Sequence, residues 1–163
     1  MTRMLQPDTA RQVNCREARC EDMPELMRMI HELAMHEGDS AEVLTELPAL
    51  QQAGCGPSAR FGALLAEVDG RLAGFVSFTW GYAIWRDARV MNIDDVYVRA
   101  DFRNRGVGLA LMYSARRLAK AAGASSIQWG AKPWNEGGIR FYQRLGASMR
   151  LKAVFRWQTG GST

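Results

Sequence analysis

Long apolar runs are missing from this 163-residue chain. Nothing in it approaches the ~20 residues that a membrane-spanning helix needs. Residues 1–12 are polar and lack the apolar stretch of a secretion signal, so they read as a flexible extension. Cysteine is scarce. Cys15, Cys20 and Cys55 are odd in number and lack metal-ligand spacing, which excludes a metal site and points to inert thiols in a reduced, cytoplasmic setting. No glycine turn ends in Gly-Lys-Ser/Thr, which excludes a P-loop. The dinucleotide fingerprint is missing as well. Its third small residue falls where Leu111 stands, and its acidic residue is replaced by Ile127 and Gln128.

What the chain does have is a basic, glycine-bearing turn after an apolar stretch: Val98-Arg99-Ala100-Asp101-Phe102-Arg103-Asn104-Arg105-Gly106-Val107-Gly108-Leu109. Glycine lets the backbone curl so that successive N–H groups point at one anion. The helix that follows adds its positive N-terminal dipole. Strand, turn and helix together suit a pyrophosphate.

Charge is unevenly spread. Eight acidic residues between Glu21 and Glu46 are opposed only by Arg28, and six basic residues between Arg99 and Lys120 are opposed only by Asp101. One region suits a cation and the other a polyanion. The basic cluster coincides with the glycine turn and lacks interleaved aromatics, which argues against nucleic acid.

The spacing predicts one domain over residues 13–163, built as β-α-α-β-β-β-α-β-α-β. Strands are expected at 13–18, 61–68, 72–80, 90–98, 126–131 and 149–157, the second and third joined by Asp69-Gly70. Asp22 is expected to cap a first helix, with Glu25 reaching back and Gly38 ending it. Thr45 is expected to cap a short helix over 46–52. Further helices are expected over 107–122 and 136–145.

A second motif follows the glycine turn: Trp134-Asn135-Glu136, then Phe141-Tyr142 and Leu145-Gly146-Ala147. With Arg103-x-x-Gly106-x-Gly108 ahead of it, the pattern resembles the GNAT superfamily of N-acetyltransferases. The Trp-Asn-Glu form, the Glu32-Leu33-Ala34-Met35-His36-Glu37 helix end and the Asp94-Asp95 pair are similar to the spermidine/spermine (diamine) acetyltransferase branch. That branch carries Glu-Asp where this chain has Asp94-Asp95, and Tyr where it has His36.

The resemblance implies a GNAT fold, with a mixed, mostly antiparallel sheet flanked by helices and two strands splaying after Val98 and Ser126. It also implies acetyl-CoA as co-substrate and no metal. The pyrophosphate would lie on Arg103, Asn104, Arg105, Gly106, Val107, Gly108 and Leu109, and the pantetheine arm on Val96, Tyr97, Val98 and Asn135. The acceptor implied is a small cationic primary amine, such as a polyamine, diamine or lysine-like amino acid. The alternatives are a peptide or protein amine, or a non-catalytic CoA-binding module. The branch is usually dimeric, which implies a homodimer, and no membrane or nucleic-acid partner is implied.

Amine attack on a thioester needs a base, because an alkylammonium with a pKa near ~10 has no lone pair. It also needs donors for the developing oxyanion, and a proton for the departing thiolate. The resemblance assigns the base to Asp94 through water and the acid to Tyr142. His36, Glu37, Trp85, Asp94 and Asp95 are expected around the amine. Adjacent strand residues face opposite sides, so Asp94 and Asp95 share a pocket only if a bulge intervenes.

Overall fold

The computed structural model describes residues 12–160, so the expected extension over residues 1–12 lies almost wholly outside them. The chain divides into two compact units, one ending at Gly130 and one beginning at Ala131.

The first unit is a five-stranded sheet in the order β1-β2-β3-β4-β5. Its strands are β1 Asn14–Glu17, β2 Gly62–Val68, β3 Arg71–Ala83, β4 Ala88–Val98 and β5 Ser126–Gln128. The first four pair antiparallel and β5 joins β4 in parallel. The β2–β3 hairpin turns on Asp69 and Gly70, both at positive φ (51° and 73°), as a two-residue Asp-Gly turn requires.

Helices α1 (Met23–Glu37) and α2 (Leu47–Gly54) pack on one face of the sheet. Met23, Leu26, Met29, Leu50, Leu65 and Phe75 form the core there. Helix α3 (Val107–Ala121) lies against β1, β2, β3 and β4 and buries Val107, Leu111, Met112, Ala115 and Ala119. A sheet covered on both faces reads as nearly continuous burial, and residues 73–78 of β3 are buried without a break. Truncating the fully buried Phe75 to alanine would cost about 3–5 kcal/mol.

Local chemistry differs from expectation at the start of α1. Asp22 precedes the helix but does not cap it with its side chain. Its carboxylate accepts instead from the Arg19 N–H (2.7 Å) and from both terminal nitrogens of Arg16 (2.7 and 2.9 Å). Glu25 does not reach back either, being paired with Arg99 and Arg28. An arginine in reach offers a carboxylate a stronger, charge-assisted bond than the helix N–H does. Gly38 ends α1 in the left-handed region as expected. Helix α2 begins at Leu47, with Glu46 rather than Thr45 in the capping position.

Two cysteines also depart from expectation. Cys20 and Cys55 are not separate thiols but a disulfide, while Cys15 is free.

The second unit holds α4 (Glu136–Arg144). Residues 149–157, expected as a last strand, form no strand, and Leu151, Val154, Phe155 and Trp157 are exposed. Alternating apolar residues become a strand only where a neighbouring edge accepts their hydrogen bonds.

Candidate active site

After β4 the chain makes one 3-10 turn, Ala100–Phe102, and then enters α3. Phe102 is buried and anchors this passage, with the guanidinium carbons of Arg71 and Arg105 5.1 and 5.9 Å from its ring centre. Asn104 (φ 59°) and Gly106 (φ 77°) both take the left-handed conformation, which asparagine tolerates and glycine adopts freely. The first helical bond runs from Ala110 N–H to the Gly106 carbonyl at 2.9 Å. The N–H groups of Val107, Gly108 and Leu109 therefore stand ahead of the helical ladder, at the positive end of a 15-residue helix. Val107 sinks its side chain into the core and fixes where that end sits. The arrangement fits a pyrophosphate through main chain. Arg103 is exposed, and its Nε donates to the Val98 carbonyl at 3.0 Å.

The edge of β4 leads into this turn. Arg99 N–H donates to the Ala73 carbonyl at 2.9 Å, so the main-chain groups of Arg99 and Tyr97 point at β3. Those of Val96 and Val98 point the other way by alternation. On that side β5 pairs only with Val90, Met91 and Asn92, and residues 93–98 have no strand partner there among the described residues. The strands therefore part after Asn92 and Gln128, earlier on β4 than the expected Val98. The cause is a register shift: Ser77 faces Asp95 and Phe78 faces Ile93, which leaves Asp94 as an extra residue. Such a bulge bends its strand and increases the local twist.

The same bulge breaks the alternation between the two carboxylates. Asp95 accepts a 2.7 Å bond from the buried Ser77 hydroxyl. Asp94 is exposed at its surface, yet desolvation by the surrounding protein and the neighbouring Asp95 charge both raise its carboxyl pKa. A carboxylate raised in this way is a better proton acceptor than a free one.

The Tyr97 side chain is held on the α1 side of the sheet. Its hydroxyl donates to Glu32 at 3.2 Å on the α1 face. Arg99, counted in sequence among the anion-facing cations, points there too. Its guanidinium binds Glu32 at 2.8 and 3.0 Å, Glu25 at 2.6 Å and the Leu72 carbonyl at 2.9 Å. Ser77 and this Arg99 network escaped the sequence reading. The signal available for the network was Glu25 and Glu32, two turns apart on one face of α1.

The expected acceptor residues fall in separate places. His36 is exposed and Glu37 half-buried at the C-terminal end of α1. Trp85 is fully exposed in the turn Ile84–Arg86 that joins β3 to β4. The span from Ala88 to Asp94 along β4 is about 20 Å, so the strand does not bring Trp85 and Asp94 together. In the second unit, Asn135 caps α4, its side-chain oxygen accepting from Gly138 N–H at 2.9 Å. Tyr142 is half-buried, its ring 5.3 Å from that of Phe141.

The family model described as Acetyltransferase (GNAT) family matches residues 24–147. The chain belongs to the GNAT acetyltransferase family. A thialysine N-epsilon-acetyltransferase from Mus musculus is 31% identical over 140 residues, covering 81% of this chain and 82% of the relative. A human spermidine/spermine N(1)-acetyltransferase-like protein 1 is 30% identical over 141 residues, 81% of this chain but 20% of that longer protein. Among solved structures, an aminoglycoside N-acetyltransferase in complex with CoA superposes with a TM-score of 0.75 at 19% identity, covering 96% of this chain and all of the other, and so speaks for the fold. GNAT enzymes are acyltransferases that use acetyl-CoA. Within this GNAT chain the glycine turn and the partnerless edge of β4 are the parts that fit that co-substrate.

Proposed function

We propose that this acetyltransferase moves the acetyl group of acetyl-CoA onto a small cationic primary amine, of the diamine, polyamine or lysine-like class. The observation that carries the reading is the bulge at Asp94, whose carboxyl pKa is raised by desolvation and by the adjacent Asp95, on the strand leading into the glycine turn. Relatives named for thialysine and for spermidine/spermine support the same class.

Acetyl-CoA supplies an activated thioester carbonyl. The main chain of residues 104–109 and the α3 N-terminus hold its pyrophosphate, and the Val96 and Val98 main chain holds its pantetheine arm. Arg103 must release the Val98 carbonyl for that arm to use it. Asp94 takes the ammonium proton through a water. Asp95, kept in place by Ser77, holds negative charge beside it. Glu37 adds negative charge at the end of α1, and Tyr142 keeps the role of acid to the departing thiolate that the family resemblance assigns it. The reading extends to a cytoplasmic homodimer, by analogy with the branch it resembles.

Free-thiol release from acetyl-CoA across an amine panel tests this. A diamine should show a higher kcat/KM than a neutral-tailed monoamine of equal length. That advantage should shrink as salt rises, since charge attraction is screened beyond ~8 Å at physiological strength. Equal rates with a flat salt response would refute the cationic acceptor. Faster turnover of a peptide amine would replace it with the protein-acceptor reading, and no turnover at all would leave a CoA-binding module.

A further inference from the structure

We infer that Cys20 and Cys55 are a reversible dithiol–disulfide site, a modification site that staples α1 to α2. The two residues are bonded across a sequence separation of 35, with Cα atoms 5.4 Å apart, well inside the range a disulfide spans without moving the backbone.

Both ends rest on anchored chain. Cys20 opens the turn Cys20–Asp22, and that turn is pinned by Asp22 to Arg16 and to the Arg19 N–H. Cys55 closes α2, its N–H donating to the Gln51 carbonyl at 3.0 Å, and the Arg60 N–H ties the following loop back to the Ala53 carbonyl at 2.7 Å. The sulfurs therefore meet because the fold holds their backbones together.

The two thiols differ in access. Cys20 is exposed, whereas Cys55 is half-buried against the core that contains Met23 and Leu50. Cys15, on β1, is a free thiol whose pKa is raised chiefly by burial.

This asymmetry sets an order of attack. The Cys20 thiolate attacks one sulfur of a small disulfide RSSR, forming a mixed disulfide and releasing one thiolate. The Cys55 thiolate then attacks the Cys20 sulfur and releases the second. Two protein thiols are oxidised and RSSR is reduced to two RSH. A small dithiol reverses both steps. The closed loop carries all of α1, the turn Ser40–Glu42 and α2, so oxidation state sets how firmly this layer is held to itself.

The test uses the full chain treated with oxidised glutathione or with dithiothreitol, followed by removal of reagent. Thiols are titrated after denaturation, non-reducing peptide mapping locates the bond, and thermal unfolding is followed. The reduced protein should titrate three thiols and the oxidised protein one, with the bond between the Cys20 and Cys55 peptides. Oxidation should raise Tm by about 5–10 °C. In Cys55→Ser the reaction should stop at a glutathione adduct on Cys20, since the resolving thiol is gone. Three thiols remaining in the oxidised wild type, a bond that uses Cys15, a bond that dithiothreitol does not open, or no difference in Tm would each overturn the inference. The wild-type result stands even where Cys55→Ser fails to fold, and none of these readouts depends on acetyl transfer.

Discussion

The acidic bulge lies on β4 and the glycine turn follows that strand, yet they are made of different material. The turn presents main chain: left-handed Asn104 and Gly106, then the leading N–H groups of α3. Its arginines are exposed, with Arg103 bonded to the Val98 carbonyl and Arg105 near the Phe102 ring. The bulge presents side chains, Asp94 and Asp95, with Ser77 steadying one of them. Main chain is common to every sequence with this fold, so the turn serves a co-substrate common to the family. Side chains are replaceable one at a time, so on the proposed reading the choice of acceptor lies at the bulge. A change at the turn should be felt through acetyl-CoA, and a change at the bulge through the amine and the pH.

The sharpest division should come from Asp94→Asn. If Asp94 takes the proton, kcat should fall by about 10²-fold or more, with KM for acetyl-CoA unchanged. Steady-state kinetics with both substrates varied would check it, and a near wild-type kcat would remove Asp94 as base. The converse is Gly106→Val. Holding valine at φ 77° costs about 1–3 kcal/mol, so KM for acetyl-CoA should rise about tenfold while KM for the amine holds. A rise in both constants would erase the distinction between the two regions.

Arg99→Met probes what holds the regions together. It leaves Glu25 and Glu32 without their shared cation and should cost about 2 kcal/mol, or roughly 5 °C in Tm. The Glu25 pKa is lowered, first by its bond to Arg99, so its stabilising effect is present above the unfolded value near ~4.3 and lost as pH falls through the folded one. The Tm gap between variant and wild type should therefore close in acid. The smallest effect expected is that of Asp95→Asn. Removing a like charge lowers the Asp94 pKa, so the acid limb of kcat/KM should move to lower pH with little loss at neutrality. A limb that stays in place would mean that desolvation alone sets it.

What sequence could show divides along the same line. Backbone demands leave residue-type signatures: Gly38 after α1, Asp69-Gly70 in the hairpin and Gly106 before α3 all stand where they were expected. Features that depend on register or on distant partners left none. The bulge exists because Ser77 and Phe78 skip a residue across the strand pair, and nothing in Ile-Asp-Asp-Val announces it. Arg99 read as one more cation near the turn until the fold brought α1 beneath it. The cysteine spacing carried no pairing signal because α1 and α2 had first to fold back on each other. Residues 149–157 alternate like a strand, but alternation describes a face, not a partner.

The side of residues 93–98 that has no strand partner among the described residues has a consequence for the protein as a solute. A strand edge without a partner strand is a template for a stranger's strand, and proteins guard such edges with charge. Here the guard is already in place. Asp94 and Asp95 sit on that run, and two copies pairing edge to edge there would bring four carboxylates together, while Arg103 blocks the Val98 carbonyl at the far end. The charges proposed to draw an amine toward the edge would also oppose the pairing of two copies along it.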